Sequence, residues 1–373
     1  MSQKTIDTTE RPPLLTTIPL SLQHLFAMFG STVLVPILFH VNPATVLLFN
    51  GIGTLFYLIL CKGKIPAYLG SSFAFLSPVF LVLSQYSYEA ALGGFIVVGI
   101  VFCIVSFIVH TIGTSWIDVI FPPASMAFRG FLSIIPILIG VVAGYVIAFT
   151  VGIVDLSHVE SAPWFAIPTI YTPEFDLRAI LIILPASIVV IVEHIGHLIV
   201  TGNIVGRNLA KDPGLDRSLL GNGVSTIFSG FFGSTPNTTY GENIGVLAIT
   251  KVYSTWVIGG AAIFAILLSC LGKLAALIQS IPVPVMGGVS MLLFGVIAAS
   301  GIRILVEAKV DYNNPMNLLL TSIVMGLGVS TASLTIGTVT LRGMALATVI
   351  AVILSISFRI ILALRRSEQT RSE

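Results

Sequence analysis

The chain has 373 residues, of which 55% are hydrophobic and only 9% charged, and its mean hydropathy is +1.03. Soluble globular chains carry about 25% charged residues, so this composition excludes a soluble protein and predicts an integral membrane protein. The formal net charge of +2 is too small to indicate a nucleic-acid partner. The three cysteines, Cys61, Cys103 and Cys270, have neither disulfide nor metal-ligand spacing, and we interpret them as packing residues.

The first half of the chain alternates long apolar stretches with one interrupted polar segment. A hydrocarbon core of about 30 Å requires about 20 apolar residues in a helix. The residues before the first apolar stretch are polar and lack the pattern of a signal peptide. Between the second and third stretches, Gly70–Phe75 is small, polar and too short for a plain spanning helix. The predicted spans of this half are Leu14–Phe39, Pro43–Leu60, Leu92–Val109 and Gly130–Val151.

The second half begins after a long acidic connection, Val154–Arg178. Its own interrupted segment, Gly233–Gly245, is polar and rich in Gly, although apolar stretches flank it on both sides. Irregular backbone at membrane depth is tolerated only where it is buried in protein or lines a wet cavity. Counting both interrupted segments, we predict an all-α polytopic protein with about 12 membrane segments. The predicted spans of this half are Ile180–Val200, Leu219–Phe232, Thr255–Leu271, Gly287–Ala299, Asn317–Val329 and Gly343–Leu364.

The distribution of Lys and Arg predicts how the chain is oriented in the membrane. Short loops rich in Lys and Arg remain in the cytoplasm. The loop containing Lys62 and Lys64, the loop from Arg207 to Arg217 and the tail at Arg365–Arg366 are therefore predicted to be cytoplasmic. The acidic connection is predicted to lie outside. An even number of crossings then places both termini in the cytoplasm.

The two halves resemble each other, which predicts an internal repeat. Each half has its interrupted segment at the same place, Ser71–Phe75 in the first and Ser234–Gly245 in the second. Paired interrupted segments in the two halves of a transporter indicate its substrate site. The match also shows a gap: 54 residues separate Met286 from Leu341, whereas one residue, Ala127, separates the corresponding positions in the first half. The first repeat is therefore predicted to lack a pair of helices.

Glu193 and His197 are the strongest candidate for a proton site. They stand four residues apart within a predicted span, so they share one helix face. His194, the residue after Glu193, is rotated away from Glu193 by about 100° around the helix. An ionisable residue inside a membrane span is by default a candidate functional residue. A structural Glu–His pair that holds helices together is the alternative interpretation.

The interrupted segments supply the remaining candidates for ligand binding. Glu242 either accepts hydrogen bonds from the N–H groups of a ligand or caps a helix, and Tyr240 and Gly241 offer backbone donors beside it. Phe73 either stacks on a planar ligand or packs as an ordinary core residue. Without a cation in this set, a neutral, flat, N–H-rich solute is favoured over an anion. The polar neighbours that either contact the ligand or satisfy broken backbone are Ser71, Ser72, Asn237, Thr238, Thr239 and Asn243.

Three motifs resemble the nucleobase–ascorbate transporter family, also called nucleobase:cation symporter-2. Residues 242–251, Glu-Asn-Ile-Gly-Val-Leu-Ala-Ile-Thr-Lys, fit the family signature Q/E/P-N-x-G-x(4)-T-R/K/G. Gln23-His24 in the first span and Glu193-His194-Ile195-Gly196-His197 are further marks of the family. His24 by itself is as consistent with a helix-to-helix hydrogen bond as with a ligand contact. The resemblance covers nearly the whole chain.

The resemblance implies an inverted repeat of seven plus seven spans, divided into a core and a gate. It implies that Glu193 and Glu242 bind uracil, that backbone N–H groups of Phe73 and Gly241 complete the pocket, and that His197 takes part in proton coupling. The two interrupted segments would be short antiparallel strands, each leading into a helix. The missing pair would be the fifth and sixth spans of the first repeat, which belong to the gate.

The function that the resemblance implies is symport of uracil with a proton across the bacterial inner membrane. A symporter of xanthine or another purine, and a nucleobase-binding protein that cannot transport, are the alternatives. No enzyme, resident cofactor or metal site is expected; the lipid bilayer and uracil are the expected partners, and a homodimer through the gate helices is compatible with the sequence. The implied organisation is core half (1–126), remaining gate helix (127–152), external connection (153–178), second core half (179–285), second gate (286–366) and cytoplasmic tail (367–373).

Overall fold

The computed structural model describes residues 5–113, 136–307, 310–336, 339–343 and 346–358. The first predicted span is confirmed as two helices, α1 (Leu14–Ala27) and α2 (Phe29–Leu38), that together form one apolar stretch. The second is α3 (Pro43–Leu60), with the bounds that the sequence predicts. Asn42 defines its start, because the Asn42 side chain accepts a hydrogen bond from the N–H of Ala44 at 2.9 Å and a proline occupies the first helical position.

The interrupted segment of the first half is a short strand followed by a turn and a helix. The strand β1 (Leu69–Ser71) leads into a single 3₁₀ turn, Phe73–Phe75, and then into α4 (Leu76–Leu83). Helix α5 (Tyr88–Ile112) contains the third predicted span. The proline turn of this half and Ala127 lie outside the described residues. The fourth predicted span is described over α6 (Pro136–Thr150).

The second half repeats this order of helix, short strand and helix. Its interrupted segment is β2 (Asn237–Thr239) followed by α11 (Gly241–Thr250). The helices before it are α7 (Ser157–Ser161), α8 (Leu177–Ile183), α9 (Ala186–Val205) and α10 (Leu215–Phe231). The elements after it are α12 (Thr255–Ser269), α13 (Gly272–Gln279), α14 (Val283–Glu307), α15 (Pro315–Val329), β3 (Ser333–Ile336), β4 (Val339–Arg342) and α16 (Leu346–Phe358).

The strands β1 and β2 pair with each other in antiparallel register, as expected for the interrupted segments. Leu69 lies opposite Thr239, and Ser71 lies opposite Asn237. The pairing satisfies backbone groups that would otherwise lack partners in an apolar surrounding. It therefore joins the two interrupted segments, which are far apart in the sequence, into one buried element.

The predicted number of about 12 membrane segments is not confirmed. Within the described residues, four helical stretches are long and apolar enough to cross a membrane, and a fifth results if the pair α13 and α14, bent by 80°, is taken as one span. The other apolar helices are shorter, and the interrupted segments divide what would be full spans into strand and half-helix. The four stretches are Leu14–Leu38, Pro43–Leu60, Tyr88–Ile112 and Leu177–Val205.

Two elements of the second half differ from the sequence prediction. Helix α13 lies between the predicted spans Thr255–Leu271 and Gly287–Ala299, where the sequence predicts no helix. The β3–β4 hairpin lies between the predicted spans Asn317–Val329 and Gly343–Leu364, where the sequence predicts no strand, whereas the described part of the last span is helical as predicted. Both differences arise from short segments of mixed polarity, whose periodicity does not distinguish helix, strand and loop.

Small residues bring the central helices into close contact. A methyl group at Gly99 of α5 would lie 2.8 Å from the carbonyl oxygen of Gly223 in α10, and a methyl group at Gly223 would lie 2.8 Å from the carbonyl oxygen of Gly99. Only glycine permits such a reciprocal approach of two backbones, and small residues are common at helix contacts in membranes. This contact places α10, and the strand β2 that follows it, against the first half of the chain.

The loops at the two ends of α3 define two faces of the molecule. At its beginning, Thr45 donates a hydrogen bond to the carbonyl oxygen of Thr169 at 2.5 Å, so the acidic connection lies there. At its end, the guanidinium of Arg217 donates to the carbonyl oxygen of Leu60 at 3.4 Å. Lys64 pairs with Asp212 at 2.6 Å on the same face. The two basic loops therefore share one face, and the acidic connection lies at the opposite one.

The amino-terminal segment lies on the face with the basic loops. Asp7 accepts a hydrogen bond from Arg207 at 2.6 Å, and Ile6 forms a parallel bridge with Val252. Thr255 donates a hydrogen bond to Thr8 at 3.0 Å. These contacts agree with the prediction that this terminus and the basic loops are on one side of the membrane.

Candidate functional site

The candidate site lies where α9, the beginning of α11 and the turn after β1 meet. Helix α9 presents Glu193 and His197 on one face, as their spacing predicts, with Oε1 of Glu193 4.0 Å from Nε2 of His197. The side chain of Glu193 retains 40% of its exposure and that of His197 retains 21%. Both groups are thus accessible to a small solute while remaining within contact distance of each other.

Ser72 connects the interrupted segment of the first half to this pair. Its hydroxyl donates a hydrogen bond to Oε2 of Glu193 at 3.5 Å and also accepts one from the N–H of Ala74 at 3.2 Å. The serine therefore caps the 3₁₀ turn that begins at Phe73 and orients the carboxylate. Glu193 is positioned by residues of both halves of the chain.

The beginning of α11 forms the opposite wall. A methyl group at Gly241 would lie 3.3 Å from Nε2 of His197, so the helix terminus directly adjoins the imidazole. The next residue, Glu242, interacts electrostatically with both His197 and Glu193. The residue before α11, Tyr240, makes no side-chain capping hydrogen bond, whereas the Glu242 carboxylate accepts one from its own backbone N–H. Two carboxylates, an imidazole and a helix N-terminus thus converge.

Phe73 is half-buried at the edge of the site. Its ring packs against the main core and also against a cluster of Leu34, Val141, Met286 and Val289, where α2 meets α6 and α14. This position supports the packing interpretation for part of the ring and leaves the rest accessible. Phe73 consequently lies between the site and the helices assigned by sequence to the gate.

Tyr240 and Ser71 contribute in different ways from Glu193 and Glu242. The ring of Tyr240 is 4% exposed and stacks on Tyr68, with ring centroids 6.5 Å apart and an interplanar angle of 16°. Gly70 leaves room for it, because a methyl group there would overlap the tyrosine ring. The hydroxyl of Ser71 hydrogen-bonds with that of Thr235 at 2.6 Å. Both side chains therefore support the strand pair.

His24 makes a helix-to-helix hydrogen bond, one of the two interpretations left open by the sequence. Its Nδ1 lies 3.0 Å from the side-chain oxygen of Asn243, and the amide of Asn243 donates to the carbonyl oxygen of Pro66 at 3.0 Å. Both side chains are 1% exposed. With its neighbour Gln23, His24 therefore lies behind α11 and fixes this helix against α1.

The sequence places Thr239 among the polar residues of the interrupted segment but does not predict its contact with the two histidines. This threonine is the last residue of β2, and its hydroxyl lies 3.1 Å from Nδ1 of His197 and 3.4 Å from Nδ1 of His194. The position follows from the strand register, which no local pattern indicates. His194, which helical geometry predicts to point away from Glu193, is 1% exposed and lies 2.8 Å from the hydroxyl of Ser218.

The arrangement defines a class of protein. Two interrupted helices that pair as short strands, with ionisable groups around the junction, are the architecture of membrane transporters, in which half-helix termini bind a polar solute. In the part of the chain that the structure describes, no group of three or more His, Cys, Asp or Glu residues could hold a metal ion.

Comparison with known proteins identifies the family. The sequence model of a protein family described as "Permease family" (Xan_ur_permease) matches residues 15–128 and 124–337. The chain belongs to this family of nucleobase:cation symporter-2 proteins, and it is a transport protein rather than an enzyme. It is 60% identical to the uracil permease of Escherichia coli over 417 positions, covering 99% of this chain and 97% of that protein. It is 57% identical to the uracil permease of Paenibacillus larvae (99% and 100% covered) and 43% identical to that of Bacillus subtilis (91% and 92%).

The comparisons also bear on the gap near Ala127. The alignment with the Escherichia coli protein has 417 positions, and this chain has 373 residues, so at least 44 positions (417 − 373) have no residue of this chain. The two matches of the family model meet at residues 124–128. A segment of this length accommodates two spans of about 20 residues. A segment missing near Ala127 would account for both findings, and that this segment is a pair of helices stays a prediction.

Proposed function

We propose that this protein takes up uracil together with a proton across the bacterial inner membrane. The observation that carries the proposal is the convergence of Glu193 and Glu242 on His197 at the junction of the two interrupted segments. Relatives that are 43% to 60% identical are named uracil permeases. The uracil ring presents N–H donors and carbonyl acceptors along one edge. This pattern matches carboxylate acceptors that lie beside backbone N–H donors.

The proposed binding mode uses both halves of the chain. The carboxylates of Glu193 and Glu242 accept hydrogen bonds from the ring N–H groups, and backbone N–H groups at Phe73 and Gly241 donate to the carbonyls. Charge-assisted hydrogen bonds of this kind are roughly twice as strong as neutral ones. The exposed part of the Phe73 ring stacks on the planar base.

Proton coupling is assigned to the Glu193–His197 pair. A proton from outside is shared between the carboxylate and the imidazole, which reduces the charge of the site and favours entry of a neutral base. Movement of the core relative to the gate then opens the site inward, and the proton and uracil leave together. The proton is the only coupling ion in this scheme.

Reconstituted protein tests the proposal directly. Radiolabelled uracil binding in detergent and uptake into proteoliposomes with an inward proton gradient are measured side by side, with unlabelled xanthine as competitor. We expect saturable binding, uptake that collapses with a protonophore, and little competition by xanthine. Absence of binding by folded protein would contradict the substrate assignment, and strong competition by xanthine would favour a purine symporter.

A second candidate function is favoured by the missing segment. If binding is intact but uptake is absent, the chain is a nucleobase-binding membrane protein whose shortened gate does not complete the transport cycle. The 44 absent alignment positions are the observation behind this alternative. The same experiment distinguishes the two, because binding and uptake are recorded on one preparation.

A further inference from the structure

A buried row of polar side chains leads away from the candidate site toward the face with the basic loops. From His197 it passes to Thr239 at 3.1 Å and to His194 at 3.4 Å. His194 continues to Ser218 at 2.8 Å, and Ser218 to Tyr57 at 2.7 Å. His194, Ser218 and Tyr57 are each at most 1% exposed. Polar groups are costly to bury in a membrane protein, and a connected row of them requires an explanation.

We propose that Thr239, His194, Ser218 and Tyr57 form the path by which the coupling proton leaves the site toward the cytoplasmic face. The inference rests on the proposed function, because it concerns the inward release of the proton carried with the substrate. It assigns a role in proton transfer to four residues that do not bind uracil in the proposed binding mode. These four residues are called the relay below.

The chemistry of the relay permits transfer without leaving a charge on it. His197 receives a proton at Nε2 and releases the proton of Nδ1 to the hydroxyl of Thr239, which passes its own to Nδ1 of His194. His194 then releases the proton of Nε2 to Ser218, whose own proton moves to Tyr57. The phenol passes its proton to water, so one proton enters and one leaves. Hydrogen bonds that serve proton transfer are often long in a ligand-free structure and shorten in the complex.

The relay ends near the inward face. Tyr57 lies in the last turns of α3, four residues before Cys61, whose thiol is 3.8 Å from the carbonyl oxygen of Arg217. A small cavity of about 10 Å³ lies beside the relay and is lined by Tyr57, His194, His197 and Thr239 together with Ile65, Ala67 and Thr201. Such a volume holds about one water molecule when polar partners surround it. The acceptor of the released proton is the water of the cytoplasmic face, on which the loop after Cys61 lies.

The surroundings of the relay favour a defined path over a general hydration channel. The ring of His194 is held edge-on between Tyr57 and Phe102, with centroid separations of 6.3 and 6.2 Å. Aromatic contacts of this kind fix the ring orientation and exclude bulk water. The titratable groups beside the relay are His197 at the site and Cys61 at the other end, where Arg217 and Asp216 lie next to Cys61. Glu193 and Glu242 lie beyond His197.

The decisive test removes single hydroxyl groups from the relay. Ser218→Ala and Tyr57→Phe are compared with Ser21→Ala and Tyr88→Phe, which delete buried hydroxyls that bond only backbone carbonyls elsewhere. Uracil binding is measured in detergent, and uracil-dependent proton entry is measured in proteoliposomes containing a pH-sensitive dye. We expect both relay variants to bind uracil with a Kd within about twofold of the unsubstituted protein, since the sites are separate. Proton entry falls at least about tenfold in both relay variants and is unchanged in both controls.

The outcomes separate this inference from the function on which it rests. Absence of uracil binding by the unsubstituted protein contradicts the proposed function itself. Normal binding with proton entry equal in relay variants and controls contradicts the relay alone, as does normal binding without any proton entry in the unsubstituted protein. Equal loss of binding and proton entry in Ser218→Ala and Tyr57→Phe shows that the row is structural and also overturns the relay.

Discussion

At the scale of single residues, the site depends on two adjacent positions at the beginning of α11 that do different work. Glu242 supplies a carboxylate, and Gly241 supplies space beside His197. The beginning of this helix is suited to receive a ligand next to His197 only while no side chain at its first position fills that space. The two residues can therefore be tested independently.

Removing the carboxylate of Glu242 should abolish detectable uracil binding while the protein still inserts and folds. Truncating one partner of a buried, hydrogen-bonded charge costs about 2 to 5 kcal/mol of binding free energy. Glu89→Ala is a matched control, since Glu89 is likewise the second residue of a helix. That helix, α5, begins beside the acidic connection, where the N–H of Glu174 donates to the carbonyl oxygen of Glu89. Uracil binding by isothermal titration of both variants decides the point; normal binding by Glu242→Ala would remove this residue from the site.

Adding a methyl group at Gly241 should weaken uracil binding about tenfold or more, or about 1.4 kcal/mol. The new Cβ would lie 3.3 Å from Nε2 of His197 and fill the space in which the base is proposed to lie. Gly245→Ala, one turn later in the same helix, meets nothing within 4 Å and serves as the control. Equal affinities of the two variants would show that the base does not approach this part of α11.

At the scale of elements, the contact between α5 and α10 determines where β2 lies. The two helices approach so closely at Gly99 and Gly223 that each glycine meets the backbone of the other helix. Strand β2 follows α10 directly, and its pairing with β1 then brings Thr239 to His197. A change at this helix contact should therefore affect the site without touching it.

Gly99→Ala should destabilise the protein by about 1 to 3 kcal/mol, as is usual when a packed interior is overfilled. Gly259→Ala is the control, because its added methyl group would meet only Leu58 at an ordinary 3.7 Å. The melting temperature of each variant in detergent, followed by intrinsic fluorescence, gives the comparison. An unchanged melting temperature for Gly99→Ala would mean that the two helices accommodate the added methyl group without a loss of stability.

The sequence predicts some of these features and not others, for physical reasons. The spacing of Glu193 and His197 suffices to place them on one face, since helical periodicity is local. The contact of Thr239 with His197 depends on which residues of β1 and β2 stand opposite each other, and that register is a long-range property. Helix α13 was not predicted because its eight residues are fewer than the stretch over which helical periodicity can be recognised.

At the scale of the whole molecule, the faces defined by the loops predict which residues are accessible from each side. The acidic connection and the basic loops lie at opposite ends of α3. The three native cysteines are first replaced by serine. The variant Glu160→Cys in this background should then react with a membrane-impermeant maleimide in intact cells. A cysteine at Lys211 should react only after permeabilisation. The reverse result would invert the proposed orientation and with it the direction of the relay.

The gap that the sequence predicts in the first repeat leads to a prediction about transport. Helix α6 packs on α14 and α2 through Val141, Met286 and Leu34, so part of the boundary assigned to the gate is present. Inserting at Ala127 the segment of a uracil permease that fills the 44 absent positions should raise the rate of uptake and leave the Kd for uracil within about twofold, since distant sites act independently. An uptake rate that is the same with and without the insertion would show that the segment is dispensable.

The pairing of β1 with β2 also constrains how the protein is made. Gly70 and Thr238, which stand opposite each other, are 168 positions apart. At a synthesis rate of about 5 to 20 residues per second, β1 waits on the order of 10 to 30 s for its partner to leave the ribosome. During that interval its backbone groups have no strand to bond, so β1 must remain in water or against the insertion machinery rather than in lipid. Insertion of the first half should therefore remain incomplete until β2 has been synthesised, and the nascent chain is most vulnerable to proteolysis during that interval.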